Sequence, residues 1–565
     1  MKPQLASLPD VSSESSLYLS ALRNHAERVL SLLDRDTYSP TFGCMDRTFW
    51  AWKFTDFPGA RFQEGLCYLS FLFATEFPGN PYFNSAKLVQ WIAGGFDFWA
   101  SIQRSGGDFD EVYPFERSLA ATAFSSFYLS EAWTFLGGRL PDDTDARFRA
   151  TLARAADWLA RNDESHGFLS NHLAAAAAAL THAHRITGHA RFQERSQYFL
   201  TKILSHQSPE RWYEEYGGAD PGYQTHGSFY LARIHQLTGS PELLRSLDHA
   251  CTFLAHFIHP DRSIGGEYTS RNTQTYYPAA FEMLAAQSPA AAWIAREMRP
   301  AITTRSAAGV DTVDIYNLFP LLNNSVFAHI GMSRSQRTSP ESLPTVLESG
   351  ICHFPHAGLL KVSRPRYDLF VGLYKGGVFK LFDRSNRRLV RANSGYVGRL
   401  HNGNAFSSQW SDPKRSIRLL HDEVHLEGAF YQISRPVMDP WRFLGFRLFS
   451  LTAGRYPRAA AWLKRLLVRV LIYRKREIPL AFRRVIRLRD DGIEVRDHLQ
   501  GSNDSIRDIT ALDAFTTVHM GSSKYFVPHE LGDLTDDPFG KPIEPAQLPT
   551  GVDRTVHVCL EPESN

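Results

Sequence analysis

Disulfide scaffolds and zinc knuckles need cysteines in close pairs, and this sequence has none. Its five cysteines, Cys44, Cys67, Cys251, Cys352 and Cys559, are odd in number, widely scattered and free of any CxxC spacing, so no disulfide framework and no cysteine-based metal site follows. Long apolar runs are missing too. No stretch reaches the length that spans a bilayer, and the N-terminus "MKPQLASLPDVSSESSLYLSAL" lacks a basic start followed by an unbroken apolar run, so a cytoplasmic protein is expected. Charge of one sign is not in surplus: 62 Lys and Arg against 59 Asp and Glu give a net charge of +3. That balance does not imply nucleic-acid binding, and no nucleic-acid partner is expected.

What the chain has is size, aromatic rings and two hydrophobic periods. At 565 residues it exceeds what a single core supports, so at least two domains are expected. From about residue 15 to 330, apolar residues recur at helical spacing between Gly, Pro, Asp and Asn turns, as in "DARFRATLARAADWLARN", "NHLAAAAAALTHAHRITG" and "SPELLRSLDHACTFLAHFI". Helical hairpins without a strict repeat predict an incomplete (α/α) toroid or a solenoid over residues 1–332. The polar, proline-interrupted "SRSQRTSPESLPTVLE" reads as a linker over 333–348. Beyond it the period becomes two, in "AGLLKVSRPRYDLFVGLYKGGVFKLFD" and "RRVIRLRDDGIEVRDHLQ", with "KGG" and "DDG" as hairpin turns. Residues 349–565 are therefore expected to form an antiparallel β-sandwich.

Residues 439–484 interrupt that pattern. After an aromatic start, Arg458, Lys464, Arg465, Arg469, Arg474, Lys475 and Arg476 alternate with Trp462, Leu463, Leu466, Leu467, Val470, Leu471 and Ile472. A cationic helix with a bulky apolar side suits the headgroup layer of an anionic membrane. A helix packed on the sandwich with a solvated basic face, or a surface for anionic glycan, are the competing readings.

Four stretches concentrate chemistry. "SNHLAAAAAAL" opens a small-residue helix on Asn171 and His172, which either anchor the helix or face a cavity. "GCMDRTFWAWKFTDFPGARFQEG" gathers Arg47, Trp50, Trp52 and Lys53, flat rings and cations of the kind that hold acidic sugars, or else a buried tryptophan pair with a helix-end ion pair. Arg117, beside Glu116 at an expected helix start, has the fork that grips a carboxylate or closes a salt bridge. "GGADPGYQTHGSFYLARIHQL" carries Tyr223, His226 and Tyr230 at a loop leading into a helix expected from about Ser228, and "GGEYTSRNTQTYYPAAFEML" carries Glu267, Tyr268, Arg271 and Asn272.

The "NH" that opens an alanine-rich helix, the "DPGY…Y" loop about fifty residues later and the C-terminal β region together resemble the heparinase II/III-like superfamily of polysaccharide lyases. The resemblance runs over most of the chain, from "DRTFWAWKFTDFPGARFQ" to "VHMGSSKYFVPHEL". It implies β-elimination at a uronic acid, in which the carboxylate is neutralised, a base removes the C5 proton and an acid protonates the leaving oxygen. Carried onto this chain, it makes Asn171 and His172 the neutralisers and Tyr230 the proton-transfer residue, with Tyr223 second. The early sandwich region departs from the family: "LVRANSGYVGRLHNGNAFSSQW" holds His401 alone where an HxHxD-like motif is usual, so no metal and no cofactor is expected. His401 is then the base or a surface turn residue, and His353 and His356 are weaker candidates. The expected partner is an acidic polysaccharide or a lipid-linked glycan, with an anionic membrane surface met through 439–484 and a peripheral place at the inner membrane. Two other readings stay open: a non-catalytic glycan-binding or assembly protein on the same fold, and a glycoside hydrolase, which needs a carboxylate pair such as two of Glu116, Asp220 and Glu267.

Overall fold

Two kinds of helix alternate along the first 335 residues. Residues such as Phe124, Phe127, Ser126 and Tyr128 are buried on every side of their helix, whereas "DDTDARFRATLARAADWLAR" buries only one stripe. In the computed structural model the first kind lines an inner ring and the second an outer ring. The structure describes residues 16–164, 167–215, 217–335, 350–433, 438–468, 476–513, 525–527, 531, 539 and 541–560. In chain order the helices are α1 (Ser16–Leu32), α2 (Gly65–Ala74), α3 (Ala86–Ser101), α4 (Leu119–Leu136), α5 (Asp142–Arg161), α6 (Ser170–Thr187), α7 (Ala190–Ser205), α8 (Pro221–Thr238), α9 (Pro241–Ala255), α10 (Ala279–Leu284), α11 (Pro289–Thr304) and α12 (Ile315–Ser335). The even-numbered helices pack each on the next, and α12 returns to α2, which closes the inner ring. The odd-numbered helices pack outside them.

Local chemistry sets several boundaries. Ser85, Ser118, Asp220, Ser240 and Ser288 each accept a backbone N–H in the first turn of their helices, and proline follows the cap in α8, α9 and α11. Gly137, Gly188 and Gly239 end α4, α6 and α8 in the left-handed conformation. The cap at Asp220 corrects one expectation. α8 starts at Pro221 rather than near Ser228, so Tyr223 lies in its first turn and Tyr230 two turns further in.

Residues 350–560 are mainly β. β1 (Gly350–Phe354), β2 (Leu359–Ser363), β3 (Tyr367–Gly372), β4 (Val378–Asp383) and β5 (Arg388–Asn393) form an antiparallel meander. The second sheet holds β6 (Tyr396–Leu400), β7 (Ala405–Ser407), β8 (Ile417–Leu419), β9 (Glu423–Ile433), β10 (Glu477–Arg489), β11 (Gly492–Gly501), β12 (Ile506–Ala511) and β13 (Val552–Cys559), in the order β12-β6-β7-β9-β10-β11-β13 with β8 beside β9. Leu369, Val371, Phe379 and Leu381 of one sheet share a core with Phe406, Phe430, Phe482 and Val495 of the other. A separate apolar cluster, Trp212, Phe253, Phe257 and Tyr268 against Leu359, Phe370, Val378 and Phe382, joins the first sheet to the toroid.

Between β9 and β10 lie two further helices, α13 (Pro440–Leu451) and α14 (Pro457–Val468), and β10 begins at Glu477, within the stretch read from sequence as the insertion. Arg469, Val470, Leu471, Ile472, Arg474 and Lys475 of that stretch fall outside the described residues, as do 336–349, which hold nearly all of the expected linker, and 514–520 of the expected strand "DITALDAFTTVHM".

Candidate active site

The start of α6 is not capped by its own side chains. Leu169 occupies the cap position, and the Asn171 backbone N–H donates instead to the Glu215 carboxylate at 2.8 Å, while the Ser170 hydroxyl donates to the Glu214 carbonyl. A carboxylate at a helix N-terminus satisfies the orphan donors there. This frees the Asn171 side chain, whose buried Oδ1 has no hydrogen-bond partner. The six alanines Ala174 to Ala179 are fully buried, so the neighbouring inner helices α4 and α8 approach α6 closely.

The site gathers around one ring, Phe124 of α4. The Arg61 guanidinium lies 4.7 Å over it, and the rings of His172, His226 and Tyr230 lie within 5.5–5.7 Å of its centroid. Arg61 comes from the turn Ala60–Glu64 that precedes α2, where its Nε donates to Glu64 at 2.7 Å and its Nη1 to Glu111 at 3.2 Å. His172, one residue beyond Asn171, has Nδ1 engaged with Glu164 at 2.8 Å and a side chain 19% exposed, so Nε2 is the nitrogen left for a ligand. A carboxylate on the far nitrogen fixes the tautomer and orientation of an imidazole.

Tyr223, His226 and Tyr230 fall at i, i+3 and i+7 of α8, a single helical face that runs inward from the mouth of the ring. Tyr223 is half-buried at the outer end, its backbone N–H held by Asp220 and its ring 5.6 Å from the Arg271 guanidinium. His226 is sandwiched between Phe124 and Tyr277, the latter stacked at 4.2 Å. Burial, with Arg61 and His172 nearby, holds its pKa well below the usual imidazole range, so it is neutral at pH 7. Tyr230, expected to transfer the proton directly, is instead fully buried: its hydroxyl meets His226 Nε2 at 2.8 Å and Tyr128 Oη at 3.1 Å, and burial pushes its pKa well above the phenolic range. Tyr223 is the more exposed of the two phenols on this face of α8.

The remaining expected residues separate into three groups. Arg47 donates to the Ser31 carbonyl and stacks on Trp50, and the Trp50 indole donates to Leu32, so this pair satisfies the terminal carbonyls of α1, while Trp52 and Lys53 stay exposed. Arg117, just ahead of the α4 cap, contacts Asp108 at 3.5 Å and donates to the Arg455 carbonyl. Glu267, Tyr268 and Asn272, expected at the cleft, belong to the joint between toroid and sandwich. Glu267 pairs with Lys380 at 2.9 Å, Tyr268 bonds His259, and Asn272 accepts from Lys375. The lysine partners of Glu267 and Asn272 come from the β meander, which sequence spacing within one loop could not show.

His401 is exposed in the β6–β7 turn, with its backbone N–H on Ser505, and has no contact with the Phe124 group. His353 is an exposed residue of β1, and His356 donates its backbone N–H to Glu210. The carboxylates considered for hydrolysis are each engaged by the fold. Asp220 accepts from Tyr223, Thr269 and Arg271, Glu116 accepts the N–H groups of Glu111 and Val112, and Glu267 lies in the joint. Arg61, Glu64, Glu111, Phe124, Tyr128, Glu164 and Glu215 escaped the sequence reading. The only signal was Arg61 with Glu64 three residues on, an ordinary helical pair.

No protein-family model matches the chain, and no curated protein matches it in sequence. Among solved structures it is similar to the chondroitin AC lyase of Streptomyces coelicolor A3 in complex with chondroitin sulphate, with 13% identity and a TM-score of 0.55 over 90% of this chain and 70% of that one. It is also similar to a Paenibacillus xanthan lyase, with 9% identity and a TM-score of 0.50 over 89% of this chain and 47% of that one. The chain therefore spans less than half the length of the xanthan lyase. The chain shares the fold of these two lyases, a helical toroid followed by antiparallel β-sheets.

Proposed function

We propose that the protein is a polysaccharide lyase that cleaves a uronic-acid-containing polymer, free or lipid-linked, by β-elimination. The observation that carries this reading is the convergence on Phe124 of a guanidinium, an oriented imidazole and one face of α8. The C5 proton of a uronate is too weakly acidic for an unaided side chain, so charge on the carboxylate must be offset as the enolate forms. Arg61 and Asn171 have the donors for that task. His172 Nε2 takes the C5 proton, the imidazolium being stabilised by Glu164, and the Tyr223 hydroxyl protonates the departing C4 oxygen. Tyr230 and Tyr128 brace His226 behind Phe124 and fix the wall of the site.

The full burial of Tyr230 and the near-complete burial of Asn171 favour a second reading, a glycan-binding protein that performs no chemistry on this fold. One experiment separates the two. The protein is incubated with a panel of soluble uronate polymers while the ultraviolet absorbance of an unsaturated uronide is followed. Growth of that absorbance supports the lyase. Binding by calorimetry with no absorbance across the panel defeats it, and new reducing ends without absorbance indicate hydrolysis.

A further inference from the structure

The α13–α14 hairpin is built inside out for a helix pair in water. In α13 the residues Trp441, Leu444, Leu448 and Leu451, spaced as one helical stripe, face solvent, with Trp441 81% and Leu448 63% exposed. Its opposite side carries Phe446, Arg447 and Ser450 against the protein. In α14 the buried polar residue is Lys464, within electrostatic reach of Glu116, while Trp462 and Leu466 are turned outward. Apolar stripes of this extent on a soluble surface mark an interaction face.

Charge selects what covers it. Residues 440–468 contain no Asp or Glu, and Arg442, Arg455, Arg458 and Arg465 are exposed around the apolar stripe. Two copies of such a face repel, which disfavours a second chain as the occupant. Leucine has no flat face for a sugar ring, and three of the four stripe residues of α13 are leucine, which disfavours a glycan. Tryptophan and leucine ringed by arginine fit the boundary between acyl chains and anionic headgroups. No helix among the described residues is long and apolar enough to cross a membrane, so the contact is peripheral.

The hairpin is also fixed beside the candidate active site. Arg447 pairs with Asp56 at 3.1 Å and lies over Phe57, Phe446 meets the Tyr113 ring at 5.0 Å, and the Arg455 carbonyl accepts from Arg117. These loops continue directly into Arg61 and Glu111, which are joined through the Ala60 N–H on the Asp110 carbonyl.

We propose that α13 and α14 form an interfacial anchor that seats the mouth of the toroid on an anionic lipid bilayer, so that the polymer is met at the membrane surface. The proposal rests on the lyase reading only for the identity of that polymer. The full-length protein is sedimented with phosphatidylcholine vesicles, with and without phosphatidylglycerol, at low and high salt. Sedimentation with the anionic vesicles alone, weakened by salt, is expected. The variant Trp441→Ser/Leu448→Ser is expected to bind roughly tenfold more weakly or less, and Arg458→Glu/Arg465→Glu, which leaves the stripe intact, is expected to lose the preference for anionic lipid.

Absence of sedimentation at low salt, sedimentation of both variants equal to that of the unaltered protein, or a dimer in light scattering that Trp441→Ser/Leu448→Ser dissociates, would each overturn the anchor. Soluble polyuronate turnover is measured on the same samples. Its absence with vesicle binding intact defeats the lyase reading alone, and its persistence without vesicle binding defeats the anchor alone.

Discussion

Residues 267–272 and the group around Phe124 are equally dense in charged and aromatic side chains, yet they differ in what those side chains have left over. In the first, Lys375 donates to the Glu267 and Thr269 carbonyls and to Asn272, Lys380 pairs with Glu267, and Tyr268 bonds His259. The two lysine contacts join the toroid to the sandwich, and the Tyr268–His259 bond braces the loop within the toroid. In the second, the Asn171 amide oxygen has no partner, Arg61 and His172 keep about a fifth of their side chains exposed, and Tyr223 stands at the mouth. Density of polar groups therefore marks a joint as readily as a site. Hydrogen-bonding capacity that the fold does not use distinguishes them.

The strongest test of that contrast is at Arg61, where the site and the fold share a residue. Glu64 is fully buried, and its own pKa is raised by burial against the pull of Arg61. Arg61→Met strands that carboxylate, and a loss of about 3 kcal/mol in denaturant unfolding is expected together with loss of turnover. Arg61→Met/Glu64→Gln removes the stranded charge, so stability recovers while activity stays absent. Recovery of both would show that Arg61 only supports the ring. Tyr223→Phe isolates the chemical side. A drop of about 10²–10⁴ in kcat is expected with unfolding unchanged, whereas Tyr230→Phe should disturb the His226 bond and stability more than proton transfer. A larger kcat loss at Tyr230 than at Tyr223 would reverse their assignment.

The difference between the two regions also explains what was legible beforehand. Helix and strand periods are local, so the toroid and the sheets could be read from patterns such as "NHLAAAAAALTHAHRITG" and "AGLLKVSRPRYDLF". Asn171, His172, Tyr223 and His226 were legible because they fall in short polar breaks of those patterns. Arg61 and Phe124 were not, since an arginine in a helical turn and a phenylalanine in a buried helix look the same whether or not a ligand meets them. Glu267 and Asn272 were misread for the converse reason. Their partners Lys380 and Lys375 lie about a hundred residues away, and only the docking of β4 and the β3–β4 turn on the toroid brings them together.

Lys375 sharpens the joint side of the comparison. Burial pulls its ammonium down to about 7, against the opposing pull of Asp220 and Glu267, from an ordinary value of 10.5. Between those values the unfolded chain binds a proton that the folded chain does not, so stability from this group rises with pH across that window. Lys375→Met should abolish the rise and cost about 1–3 kcal/mol through the acceptors it leaves unpaired. Chemical denaturation at pH 7 and pH 10 measures both, and kcat on soluble polymer is expected to stay within twofold or so, because Lys375 is committed to the 267–272 loop. A fall in kcat without a fall in stability would return the 267–272 loop to the site.

The smallest expected effect is at His401, and it tests whether the sandwich contributes to the chemistry. The resemblance to lyases offered this histidine as a base, but its turn is shaped by backbone bonds: Leu400 N–H on Asn404, Gly403 N–H on Leu400, and the His401 N–H on Ser505. None uses the imidazole, which is exposed. His401→Ala should therefore leave stability within about 0.5 kcal/mol and turnover unchanged, in contrast to His172→Ala, where Glu164 loses the imidazole it orients. If His401→Ala were instead the variant whose turnover collapses at constant stability, the second sheet would have to close over the mouth of the toroid during the reaction, and Phe124 would be one wall of the site rather than its centre.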